Sequence, residues 1–287
     1  MIQPEYINSV DCVKSKYDLF LLDQWGVLHN GVSAHLGAVN AMAEIKAAGK
    51  KIILVSNSSR RISSSINGLN KLGITRNLYD HILTSGELAW EAMKDDKDPF
   101  YKEFEGKCYI IGKDGRQDFL NGLKLKPVSC IDTADFLLVG DLPDGPIEGL
   151  LPVLGNARAR DLTMVVLNPD MISIDATGKL NPCPGQVGEA YSKLGGTVKI
   201  HGKPDHCVYE KCFELEPEAR SILAIGDSLH HDIAGACNAG IDSVLITSGI
   251  HVFDLKTVPG SKAKQLEVNK LCSNTGITPT FWGTRFV

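Results

Sequence analysis

The stretch whose reading decides this chain is FLLDQWGVLHNG, residues 20–31. It continues a short apolar run, 17–22, of the kind that a strand buried in a parallel sheet produces. The run stops on a carboxylate, Asp23, and a glycine follows at Gly26. Asp23 alone has two readings. It can be a turn or cap residue, as strand ends often carry. It can also be a functional carboxylate at the carboxyl edge of an open α/β sheet, where ligands bind.

The rest of the chain supplies the context. Its 287 residues exceed what one compact domain usually needs, so two domains are expected. The net charge of −4 and the absence of a basic stripe argue against nucleic acid as a partner. The first residues lack the layout of a signal peptide, and no apolar run approaches the roughly 20 residues of a membrane span. The eight cysteines are scattered without a CxxC pair, which fits reduced thiols and a cytoplasmic location. Short apolar runs at 17–22, 51–55 and 81–84 alternate with helical spacing over 38–48 and 62–72, the pattern of parallel strands joined by crossover helices. A second such unit has strand candidates at 108–112, 136–139 and 164–167, with helices near 117–123 and 147–160. The charged stretch KDDKDPFYKEF (94–104) suits a boundary, and the turn-rich NPCPGQ (181–186) marks the return. The last part resumes the first pattern, with helix 207–215, strand 221–225, helix 232–239 and strand 243–247. The expected architecture is α/β: a doubly wound parallel-sheet core, residues 1–86 and 201–287, with an α/β cap inserted at 87–200.

Polar residues gather where these strands end. The first ends in Asp23, the second in Ser56 and Asn57, and the strand LAIGDSLHHD in Asp227 and Ser228, with Asp232 beyond. Lys203 sits in HGKP ahead of that strand. Carboxylates gathered on one edge repel one another unless a cation lies among them. Hard oxygen ligands beside a substrate suit Mg²⁺, which is held by few protein carboxylates plus phosphate and water. Ser56, backbone N–H groups and Lys203 would cradle a phosphate, leaving Asp23 to attack phosphorus as a carboxylate nucleophile.

In the order and content of these motifs the chain resembles the haloacid dehalogenase superfamily of aspartate-nucleophile phosphohydrolases, and within it the class IIA sugar- and nucleotide-phosphatase-like proteins. The first motif of that family is met by Leu22-Asp23-Gln24-Trp25-Gly26-Val27. The second is met by Ser56-Asn57-Ser58-Ser59-Arg60, the third by Gly202-Lys203-Pro204, and the fourth by Gly226-Asp227-Ser228 with Asp232. The cap signature Asn-Pro-Asp appears as Asn168-Pro169-Asp170. The resemblance implies catalytic roles for Asp23, Ser56 and Lys203, and phosphate binding by Ser56, Asn57 and Lys203. It implies a metal held by Asp23, Asp227, Asp232 and the backbone carbonyl of Trp25, and a substrate-facing cap loop at Asn168 and Asp170. Only 28 residues separate Asp23 from Ile52, which leaves room for one crossover helix and no cap. The phosphonatase and dehalogenase branches insert their caps there, so both are disfavoured.

Each assignment has a plainer alternative. Ser56 and Asp232 can cap the helices that follow them, Lys203 can be an exposed lysine, and Asn168 with Asp170 can simply form an Asx turn. The pair His230-His231 suggests zinc, but no Cys or His stands at ligand spacing, so solvated or supporting histidines are expected. Cys207 and Cys212 read as helix-packing residues, and His29, His35 and His251 as bystanders near the site. One departure from the family matters. Its members usually carry a proton-donating aspartate two residues after the nucleophile, and here that residue is Trp25. General acid–base catalysis is worth about 10²–10⁴ in rate, so binding of metal and phosphate is expected more firmly than fast turnover. The expected function is a Mg²⁺-dependent phosphatase acting on a small phosphorylated metabolite. The alternatives are a binding or regulatory protein that kept the pocket, and an enzyme that cleaves an activated phosphoryl bond. Whether the chain forms a homo-oligomer, and whether the aromatic segment FWGTRF (281–286) packs on its own core or on a neighbour, stay open.

Overall fold

The computed structural model describes residues 3–94, 98–102, 106–113 and 117–287. In chain order the strands among these are β1 (Glu5–Tyr6), β2 (Leu19–Leu22), β3 (Lys51–Ser56), β4 (His81–Thr84), β5 (Lys107–Ile111), β6 (Lys126–Pro127), β7 (Phe136–Val139), β8 (Thr163–Val166), β9 (Ile172–Ile174), β10 (Leu180–Pro182), β11 (Val198–Ile200), β12 (Ile222–Gly226), β13 (Asp242–Ile246) and β14 (Phe281–Gly283). Seven of them form one parallel sheet in the order β1-β14-β13-β12-β2-β3-β4. A second parallel sheet, β11-β8-β7-β5-β6, is drawn entirely from the intervening chain, and β9 and β10 form a separate antiparallel ribbon.

Alternation explains why the large sheet is stable. Phe20 and Leu22, with Ile52, Leu54 and Ile225, face one apolar layer, whereas Leu19 and Leu21, with Ile53, Val55 and Ala224, face the other. Both faces are covered, so the strands read as continuous apolar runs rather than as an alternating pattern. The helix Ala38–Ala47 covers the first face with Ala41, Met42 and Ile45. The helix His206–Leu215 covers the second with Val208, Tyr209 and Cys212. The inserted sheet has its own two layers, one around Leu137, Met164 and Tyr191, the other around Phe119, Phe136 and Val165.

Several elements differ from the sequence reading. NPCPGQ is not a plain turn, because Asn181 and Pro182 pair with Ser173 and Ile172 in the ribbon. A helix, Gly185–Lys193, begins within the last two residues of this stretch. The aromatic C-terminal segment packs on its own core: β14 lies between β1 and β13, and Phe281, Trp282 and Phe286 are buried. Asp232 does not cap the helix after it. It lies inside a π-helical turn, Leu229–Ile233, which Ser228 caps, its hydroxyl accepting the His231 N–H; the helix Ala234–Asn238 that follows has no side-chain cap. Ser56 caps no helix either; its hydroxyl accepts the Ser58 N–H, and the helix Ile62–Lys71 starts after Arg61. Lys203 is buried, not exposed. Cys207 is exposed on the first turn of its helix rather than packed, and all eight cysteines are free. The charged stretch at 94–104 lies partly outside the described residues. No described helix is long and apolar enough to cross a membrane.

Candidate active site

Parallel register brings the motifs to one edge. Leu22 lies beside Leu54 of β3 and Ile225 of β12, so the residues that follow each strand emerge together. The Asp23 N–H continues the ladder to the Ile225 carbonyl at 2.9 Å, which fixes the carboxylate at the mouth of the sheet. Here the reason for Gly26 becomes clear. It has φ +87°, and a Cβ on it would stand 2.0 Å from Oδ2 of Asp227. Gly249, in the loop after β13, leaves the same clearance from its side, also 2.0 Å. The Asp227 carboxylate is thus wedged between two backbone segments that only glycine permits, with the Ile250 N–H donating to it at 3.1 Å.

Asp23, Asp227 and Asp232 offer carboxylate oxygens that lie within 4.8 Å of one another, and all three residues are buried. Lys203 enters the group from the turn before its helix. Its Nζ donates to Oδ1 of Asp23 and Oδ1 of Asp232, each at 2.6 Å, and to the Val55 carbonyl at 3.0 Å. One ammonium against three carboxylates leaves the cluster short of positive charge. Burial, opposed by Lys203 but reinforced by Asp232, pushes Asp23 up to about 7. Burial and the Asp23 and Asp232 charges hold Asp227 well above the usual carboxylate range. Burial would lower Lys203, but the facing carboxylates outweigh it and raise the ammonium well above its ordinary value. The clearance at Gly26 and Gly249, with an all-oxygen donor set lacking countercharge, fits a divalent cation.

Asn57 ties the parts together. Its Oδ1 accepts the Lys203 N–H at 2.8 Å, and its Nδ2 donates to Oδ1 of Asp170 at 2.8 Å. Asp170 thereby reaches the sheet edge from the insert, while Asn168 stays behind it as an Asx turn, its Oδ1 accepting the Asp170 N–H at 2.9 Å. The Asx turn of the Asn-Pro-Asp loop is therefore present, and it sets Asp170 on the wall of the cavity at the sheet edge. Asp23, Trp25, Ser56, Asn57, Asp170, Lys203, Asp227 and Asp232 line one small cavity of about 40 Å³. A groove of about 620 Å³ adjoins it, sharing Trp25, Ser56, Asp170 and Ser173 with it; Ser58 and Asn168 line the groove alone. Trp25 is 39% exposed, and its indole N–H donates across to the Ile174 carbonyl of β9 at 2.6 Å.

Sequence reasoning missed two contributors, Gly249 and Ile250, and gave His231 only as a solvated or supporting histidine. His231 lines the small cavity, with Nδ1 3.2 Å from Oδ1 of Asp170 and 3.2 Å from the Ser228 hydroxyl. Its place in a doubled histidine carried no signal beyond proximity to Asp232. Gly249 and Ile250 were findable as the end of the strand next to β12, where the carboxyl edge continues. Of the supposed bystanders, His251 accepts the Leu229 N–H at 3.1 Å and so holds the turn that carries Asp232.

The fold and this edge define a doubly wound α/β protein with a buried aspartate cluster at the carboxyl ends of its strands, and comparison with known proteins gives the family. A profile described as haloacid dehalogenase-like hydrolase matches residues 20–126, and a second HAD-hydrolase-like profile matches 200–264. A D-glycerol 3-phosphate phosphatase of Mycobacterium tuberculosis is 22% identical over 83% of this chain, which spans 65% of the length of that relative. A 5′-nucleotidase of Bacillus subtilis is 25% identical, covering 82% of this chain and 88% of its own. Among solved structures, a haloacid dehalogenase-like hydrolase from Brucella suis superposes with a TM-score of 0.81 at 25% identity, covering 98% of this chain and 100% of that one. The chain belongs to the haloacid dehalogenase-like hydrolases, on their class IIA, phosphatase-like branch.

Proposed function

We propose that this protein is a Mg²⁺-dependent phosphatase that hydrolyses small phosphorylated metabolites through an aspartyl-phosphate on Asp23. The observation that carries the reading is the convergence of Asp23, Lys203 and Asp227 with Ser56 and Asn57 around one small cavity. Asp23, Asp227 and the Trp25 carbonyl would hold the metal, supported by Asp232, which also orients Lys203. When bound, the metal supplies countercharge to the phosphoryl oxygens and to the buried carboxylates. Lys203, the Ser56 hydroxyl and the Asn57 region hold the phosphate while Asp23 attacks phosphorus. The adjoining groove takes the rest of the substrate. Its lining of Ser58, Ser65, Arg60 and Asp141 favours a polar group such as a sugar or polyol. We place the protein in the cytoplasm, acting as a monomer or homo-oligomer on small molecules rather than on nucleic acid or membrane. Residues 87–200 serve as the cap that selects substrate.

A second reading is a phospho-ligand binding protein without turnover. It is favoured by Trp25, whose only polar hydrogen is committed to Ile174. Phosphate release from a panel of monoesters, with and without Mg²⁺, separates the two. The phosphatase reading expects Mg²⁺-dependent release that Asp227→Asn abolishes. Mg²⁺-dependent phosphate binding by calorimetry with no release from any ester would establish the second reading instead.

A further inference from the structure

We infer that Asp170, on the insert, is the acid and base of the reaction, replacing the aspartate that Trp25 displaces. The inference rests on the phosphatase reading of the site.

The need comes from Trp25. An alkoxide leaving group requires a proton, and an indole N–H does not supply one at neutral pH. Here that N–H is also spent on the Ile174 carbonyl. The other carboxyl groups of the cavity are engaged. Asp23 is the nucleophile, Asp227 is wedged between Gly26 and Gly249, and Asp232 binds Lys203 and the Ser228 N–H. His29 accepts the Gly31 N–H on Nδ1 at 3.1 Å and lines the larger groove, not the cavity that Asp23 lines. Asp170 is the remaining carboxyl group on the cavity wall, and it also borders the groove. A group at that junction faces both the phosphate and the leaving group. Its Oδ1 is held by the Asn57 amide at 2.8 Å and lies 3.2 Å from Nδ1 of His231, while Oδ2 takes no hydrogen bond among the described residues. Its backbone is fixed as well. The Asp170 carbonyl accepts the Gly185 N–H at 3.0 Å, and a Cβ on Gly185 would stand 2.6 Å from that carbonyl oxygen. One oxygen anchored and one free is the arrangement that a positioned acid needs.

The steps balance. Asp23 forms a bond to phosphorus, the ester P–O bond breaks, and the Asp170 carboxyl gives its proton to the departing oxygen, releasing an alcohol. Water then attacks phosphorus and loses a proton to the Asp170 carboxylate. The bond from Asp23 to phosphorus breaks, hydrogen phosphate leaves, and both aspartates return to their starting states.

The test compares glycerol phosphate, whose alkoxide needs the proton, with para-nitrophenyl phosphate, whose phenolate hardly does. Full-length protein with Mg²⁺ is used throughout. Asp170→Asn should lower kcat for glycerol phosphate by about 10²–10⁴ and for the aryl ester by less than about tenfold. Asp170→Glu, which keeps a carboxyl, should retain more alkyl turnover than Asp170→Asn. Adding Trp25→Asp to Asp170→Asn should restore alkyl turnover. Equal losses on both esters would make Asp170 a positioning residue only, and unchanged alkyl turnover would remove it from the chemistry; either overturns the inference. Hydrolysis of neither ester by wild type defeats the phosphatase reading and this inference with it, whereas turnover that needs Asp23 but not Asp170 defeats the inference alone.

Discussion

The two walls of the site are built differently. On the core wall, Asp23, Ser56, Lys203 and Asp227 sit where parallel strands end or return, and Asp23, Lys203 and Asp227 are buried. Their positions follow from sheet register, and a displaced carboxylate would collide with backbone at Gly26 or Gly249. On the insert wall, Asp170 and Ile174 belong to a loop and a three-residue strand. The Asp170 side chain is 34% exposed, and the wall meets the core through individual polar contacts: Asn57 to Asp170, Trp25 to Ile174, and the Ser59 hydroxyl to the Gly140 carbonyl at 2.6 Å. The difference teaches that the clustered charges at the sheet edge are a property of the fold. On the proposed function, what the leaving group would meet is a property of loops that can vary without disturbing the sheet.

Substitutions on each wall can sharpen or break this contrast. The largest effect on stability is expected at Lys203→Met. Removing the ammonium leaves Asp23 and Asp232 buried without their partner, and breaking a buried pair costs about 3–5 kcal/mol. Urea unfolding should show this loss without Mg²⁺ and a partial recovery with it, since a bound cation stabilises the folded state. A loss below 1 kcal/mol, on the order of a surface pair, would mean that the cluster is not held as described. A smaller effect is expected at Trp25→Phe, which keeps a ring and deletes the hydrogen bond to Ile174. The loss should be about 0.5–1.5 kcal/mol, with faster amide exchange over 172–182 and little change in β2 or β12. Faster exchange in those core strands instead would show the two walls to be one cooperative unit.

The core wall was legible in sequence because Asp23, Ser56 and Asp227 each stand at the end of an apolar run, whereas Lys203 was legible only through the motif Gly202-Lys203-Pro204. The runs 51–55, 81–84 and 136–139 sit on β3, β4 and β7 to within a residue. The insert wall was legible only as the signature Asn168-Pro169-Asp170. Its ribbon strands are three residues each, one ending in Pro182, too short for any period to register. Strands β1 and β14 escaped for the same reason. The role of Trp25 was hidden more deeply. Its partner is a backbone carbonyl 149 positions away, and no side chain at 174 announces it. His231 was hidden by its neighbour, since a doubled histidine raised the question of zinc rather than of Asp170.

The central claim is that Asp23 carries the phosphoryl group, and rapid quenching tests it most directly. The enzyme is mixed with Mg²⁺ and para-nitrophenyl phosphate, stopped in acid within the first turnover, digested, and analysed by mass spectrometry. The account predicts one phosphoryl group on the peptide containing Asp23, rising and falling before the steady state and absent from Asp23→Asn, which should not turn over. Release of phosphate at the wild-type rate with Asp23→Asn, or labelling on another residue instead, would contradict it.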